Sequence, residues 1–83
     1  MTDEEETPKW WSEVMMIGAT GEAVDTVQRL LRCKPTGIYD HQTLARVRGF
    51  QVLTKRPPTG YVDRHTANAL EHRRDNHGSL PHL

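Results

Sequence analysis

Sliding the chain against itself produces one clear register. Thr36-Gly-Ile-Tyr-Asp40-His-Gln-Thr43 falls on Thr59-Gly-Tyr-Val-Asp63-Arg-His-Thr66, 23 positions further on, with the Thr, Gly, Asp and Thr identical. The same step carries Val24 to Val47, Val47 to Leu70, Val27 to Phe50, Gln28 to Gln51 and Thr20 to Thr43, so three units are visible, the first degraded at its start. A period of this length marks one supersecondary unit reused, none of which buries its apolar face alone. With 83 residues and 35% hydrophobic side chains, the three units have to share a single small core.

Each unit reads as a turn followed by a helix. Gly37 and Gly60 suit a tight turn that needs positive φ. Asp40 and Asp63 then stand as N-caps, accepting from free N–H groups of a first helical turn, and Thr43 and Thr66 fall at N3. Val24, Val27, Leu30 and Leu31 form a helical stripe, predicting a helix over 21–33. Leu44, Val47 and Phe50 predict a second over 41–54, which Pro57 and Pro58 forbid from continuing. Ala67 and Leu70 belong to a third over 64–76, ended by Gly78. Ile38-Tyr39 and Tyr61-Val62 are at most short extended pieces. The expected fold is all-α, a three-helix bundle of turn-helix repeats over 16–76, with an acidic arm over 1–15 and a tail over 77–83.

Composition removes several classes of function. A mean hydropathy of −0.74 and the lack of a run of about 20 apolar residues argue against a membrane-spanning helix. Eleven basic residues balance eleven acidic ones, leaving no overall charge to attract nucleic acid or an anionic membrane. Arg46, Arg48, Lys55, Arg56, Arg64, Arg73 and Arg74 form a candidate basic patch, and three helices invite a helix-turn-helix reading. The connections through Pro57-Pro58 are too long for that motif. Cys33 is the sole cysteine, so neither a disulfide nor a cysteine metal cluster is available, and the five histidines lack helical zinc spacing. No nucleophile motif or defined carboxylate pair suggests catalysis, and no cofactor, metal or enzyme activity is expected.

Gly18-x-x-Gly21-x-x-Val24-x-x-Val27-Gln28-x-x-Leu31, followed by the two Thr-Gly-x-x-Asp-x-x-Thr units with Phe50-Gln51 between them, resembles the three-helix peptidoglycan-binding domain over about residues 16–72. The resemblance implies a non-catalytic module that holds bacterial cell wall, by its glycan or its stem peptide. The chain departs from that pattern at Lys55-Arg56-Pro57-Pro58, where an apolar or Gly-Leu pair usually follows Phe-Gln, and at Arg46, where a small residue is usual.

Tyr39, Asp40, Gln51, Tyr61 and Asp63 are the candidate ligand-binding residues. Each also has a structural reading. Asp40 and Asp63 are caps. Gln28 and Gln51 tie a loop backbone to their helices. Tyr39 and Tyr61 either line a sugar-binding groove or pack half-buried. Trp10-Trp11, after an acidic run whose thirteen-residue segment carries a net −4, either folds back as a lid or docks into another protein. The acidic start is unlike a signal peptide, so a bacteriophage protein is the expected way for a wall-binding chain to reach its target. It would sit in a virion or host cytoplasm. The alternative is a virion decoration or adaptor protein that docks on a capsid or tail through the Trp10-Trp11 arm.

Overall fold

The structure, a computed structural model, describes residues 7–79. Three helices appear in chain order: α1 (Glu22–Leu30), α2 (His41–Leu53) and α3 (Arg64–Ser79). The expected acidic run at 3–6 lies outside the described residues. The tail expected from 77 does not begin there, because α3 continues through Gly78 to Ser79.

The core is the one the periodicity points to. Val24 and Val27 of α1, Val47 and Phe50 of α2, and Ala67 and Leu70 of α3 are buried together with Leu31, Tyr39, Val62 and Met15. Asp40 caps α2, accepting from the Thr43 N–H at 3.0 Å, and Asp63 accepts from the Thr66 N–H at 2.8 Å, so both threonines sit at N3 as the spacing predicts. The first unit lacks this device. Its N-cap is Gly21, which supplies no side chain, and the acidic Glu22 and Asp25 of the first turn face the positive helix end instead.

α1 and α2 end alike. Arg32 and Lys55 both take left-handed backbone, at φ 61 and 62. The next N–H reaches back five residues, Cys33 to the Gln28 carbonyl at 2.9 Å and Arg56 to the Gln51 carbonyl at 2.8 Å. Arg32 N–H meets Arg29 O at 3.1 Å and Lys55 N–H meets Val52 O at 3.0 Å, completing a Schellman turn in each unit. Helix α1 therefore stops at Leu30 and its expected last turn is this cap, where Cys33 sits half-buried. Arg46, across from it on α2, donates to the Leu31 carbonyl at 3.4 Å and so helps close the α1 C-terminus.

Residues 10–20, which precede α1, are joined to the helical domain. Met15 and Val62 form an antiparallel bridge, with N–H to O distances of 3.1 and 2.9 Å, and Thr20 bridges Ile38. Trp10 and Trp11 pack half-buried against the core. Trp10 Nε1 donates to Glu71 at 2.9 Å, and Trp11 Nε1 donates to the Val62 carbonyl at 2.9 Å. Of the two readings of this pair, the structure adopts the lid.

Left-handed backbone costs a residue with a Cβ about 1–2 kcal/mol, whereas glycine adopts it freely but loses more entropy on folding. Lys55→Gly is therefore expected to raise stability by about 0.5–1 kcal/mol. Urea unfolding should show a higher midpoint with unchanged slope, while Lys55→Val should lower it.

Candidate ligand-binding site

The repeated glutamines organise the turns. Gln28 Oε1 accepts from the Gly37 N–H at 2.9 Å. Its amide N–H groups are shared among Thr43 Oγ1 at 2.9 Å, the Ile38 carbonyl at 3.0 Å and Thr36 Oγ1 at 3.2 Å. Twenty-three residues on, Gln51 repeats every contact: Gly60 N–H to Oε1 at 2.9 Å, and Nε2 to the Tyr61 carbonyl at 2.9 Å, Thr66 Oγ1 at 3.0 Å and Thr59 Oγ1 at 3.3 Å. Both glutamines are 1% exposed. A buried amide that meets its partners this fully has nothing left for a ligand, so Gln51 is a structural tie and not a groove residue.

The turn glycines differ in how strictly they are required. Both have positive φ, 78 at Gly37 and 84 at Gly60. A Cβ at Gly60 would come within 3.0 Å of Leu44 Cγ and 3.2 Å of Arg48 Cγ, so the turn of the third unit packs directly on α2. At Gly37 the nearest atom would be 3.7 Å away.

Tyr39 is also inside. It is 1% exposed, and its hydroxyl donates to the Gly60 carbonyl, joining the turn of the second unit to that of the third. Its backbone is held by Gly18 N–H to Tyr39 O at 3.0 Å and Tyr39 N–H to Ala19 O at 2.9 Å. Burial pushes the phenol well above its ordinary range, so it stays a neutral donor. The groove wall expected at Tyr39 is thus a core position. The register gives the reason: Tyr39 aligns with buried Val62, and it is Ile38 and Tyr61, one residue earlier, that point outward at 53% and 44% exposure.

Asp40 is exposed, and hydrogen bonds from the Thr43 backbone N–H and hydroxyl hold its carboxyl below the usual carboxylate range. Asp63 takes a single bond from Thr66 and lines a cleft beside the start of α3, with Arg56, Pro57, Thr59, His65 and Thr66. Arg56, one of these lining residues, has an Nε that is buried without a hydrogen-bond partner. Arg56 is not among the candidates that the sequence offers, although it lies in the stretch Lys55-Arg56-Pro57-Pro58 that departs from the usual pattern. Of the five candidates, Asp40, Tyr61 and Asp63 reach the surface, and Tyr39 and Gln51 support it from beneath. Desolvation raises the Cys33 thiol above its ordinary range, against the lowering effect of Arg46. Among the described residues no three His, Cys, Asp or Glu side chains gather as a metal set, and no helix is long and apolar enough to cross a membrane.

These features coincide with known proteins. The family model described as a putative peptidoglycan binding domain matches residues 20–70, most of the chain, and the protein belongs to that family. A crystal structure of a fused Zn-dependent amidase/peptidase/peptidoglycan-binding domain-containing protein from Clostridium acetobutylicum superposes with TM-score 0.69 at 26% identity, covering 72% of this chain and 29% of that one. A periplasmic domain of the EpsAB fusion protein of the Vibrio vulnificus type II secretion system gives TM-score 0.67 at 24% identity over 80% of this chain and 32% of its own length, a likeness of fold. The chain thus corresponds to less than a third of either structure. No curated protein matches the sequence.

Gln51→Leu keeps the volume and removes the partners of the Gly60 N–H, the Tyr61 carbonyl and the Thr66 hydroxyl. It is expected to cost about 2–4 kcal/mol, measured as a lower denaturation midpoint. Gln42→Leu, an exposed position on the same helix as Gln51, should change stability little.

Proposed function

We propose that this chain is a non-catalytic module that binds peptidoglycan, and that it does so on the face formed by the outward positions of the Thr-Gly turns and the cleft at the start of α3. The observation that carries the reading is the match of the peptidoglycan-binding family to residues 20–70, a span that includes both glutamine-tied turns and the first part of α3. The similar Clostridium acetobutylicum protein carries such a domain fused to a zinc-dependent amidase/peptidase. By analogy the module here serves to hold a reaction or an assembly at the wall.

The face has the mixed character that saccharide and peptide ligands require. Tyr61 offers an exposed aromatic surface with a hydroxyl. By the register of the Met15–Val62 bridge, Met16 lies opposite Tyr61 and is likewise exposed. Asp63 and Arg56 add charged groups at the cleft. A phage origin, with the chain in a virion or host cytoplasm, remains our proposal for how the module meets its wall. The alternative of a virion decoration protein docking through Trp10 and Trp11 would need those side chains to leave the core, Glu71 and Val62.

Cosedimentation with insoluble sacculi tests the reading. The wild type should pellet with sacculi and stay soluble without them, and Tyr61→Ala should keep its circular dichroism spectrum while losing most of its retention. A folded wild type that stays in the supernatant would overturn it. Tyr39→Ala is unsuitable as a binding variant, because it empties a core position.

A further inference from the structure

The cleft beside α3 carries charges of both signs, and that combination narrows its ligand. Its volume is about 170 Å³, below the ~300–1,000 Å³ of sites that enclose a whole small molecule, so it suits an end group. Arg56 is among its lining residues, a half-buried side chain that brings a positive charge to the cleft and whose Nε has no hydrogen-bond partner. The positive end of α3 is already met by the Asp63 carboxylate, which leaves Arg56 as the cation for a ligand anion. Asp63 stands at the same place. Its Oδ1 is taken by the Thr66 N–H, and among the described residues the carboxylate has no other partner. A simple carboxylate ligand would face Asp63, and a simple amine would face Arg56. A group that bears an ammonium and a carboxylate on one carbon satisfies both.

Comparison with the second unit supports a purpose beyond folding. The step of 23 places Cys33 at the position of Arg56, Lys34 at that of Pro57 and Asp40 at that of Asp63. Both Schellman turns are closed by backbone atoms, so the turn itself does not call for an arginine. Asp40 is bonded twice by Thr43, through N–H and hydroxyl at 3.0 Å each, whereas Asp63 is bonded once. The cap of the third unit is therefore the less committed of the two, and it is the one beside the arginine.

We propose that this cleft recognises the free amino-acid end of a diamino-acid side chain, CH(NH₃⁺)CO₂⁻, on a peptidoglycan stem peptide, with Arg56 holding the carboxylate and Asp63 the ammonium. This rests on the peptidoglycan-binding reading above. Pro57 and the Thr59 methyl supply an apolar wall for the aliphatic stem. A lysine side chain, which ends in an ammonium alone, leaves Arg56 unpaired.

The test compares retention of the full chain on two kinds of sacculi, one with meso-diaminopimelate stems and one with lysine stems. The diaminopimelate wall should retain the wild type at least tenfold more tightly. Arg56→Gln and Asp63→Asn should each reduce that retention to the lysine level. Asparagine remains a good N-cap, so Asp63→Asn is expected to stay folded, as circular dichroism would verify. Equal retention on both walls, or unchanged retention by folded variants, would overturn the proposal and leave the peptidoglycan reading standing. No retention on either wall would overturn both.

Discussion

The structure depends on a side-chain amide used as a piece of backbone. In each of the two complete units a buried glutamine on the preceding helix presents a carbonyl to the turn glycine N–H and an amino group to the next carbonyl and to the threonine at N3 of the following helix. The turn needs such a partner because its partly or fully buried N–H and C=O groups lie outside the helices, and leaving them unpaired would cost more than each bond contributes. One side chain thereby fixes the end of one helix, the turn, and the start of the next. The helices in turn place Val24, Val27, Val47, Phe50, Ala67 and Leu70 in one core.

What reaches solvent follows from that constraint. With the turn backbone held by glutamine, alternate residues go in and out, so Tyr39 and Val62 are buried while Ile38 and Tyr61 face outward. Tyr39 uses its hydroxyl to couple the two turns, and the bridges from Met15 and Thr20 lay the N-terminal segment across them. The cleft at α3 is formed where the third turn meets a helix N-terminus, so its two charged groups are placed by the same tie that holds the fold. The face we propose for wall binding is the surface of these repeat joints.

The helices, both aspartate caps, the glutamine ties and the shared core were legible in the sequence, because repetition at a fixed step exposes positions under the same physical demand. Other features were not. Nothing in the pattern distinguishes Tyr39 as a cross-unit hydrogen-bond donor from Tyr61 as a surface aromatic, since the matching residues Val62 and Ile38 are both aliphatic. That Ile38 and Tyr61 are the exposed members of their turns emerges only once the fold is known. The helix ends at Arg32 and Lys55 lack the glycine that usually signals a left-handed cap. The Trp10-Trp11 pair belongs to no repeat, so its choice between lid and docking surface was decided by partners distant in sequence, Val62 and Glu71. Arg56 was visible as a departure from the family pattern, but its orphaned Nε and its place beside Asp63 required the fold.

Gln28 and Gln51 behave as internal backbone and not as polar side chains near a surface. Hydrogen exchange of their side-chain amide protons, followed by NMR in the native protein, addresses it most directly. Both pairs should exchange only as slowly as global unfolding permits, together with the Gly37 and Gly60 backbone N–H groups, while exposed Gln42 exchanges freely. Rapid exchange at Gln51 in a protein whose core amides remain protected would contradict it.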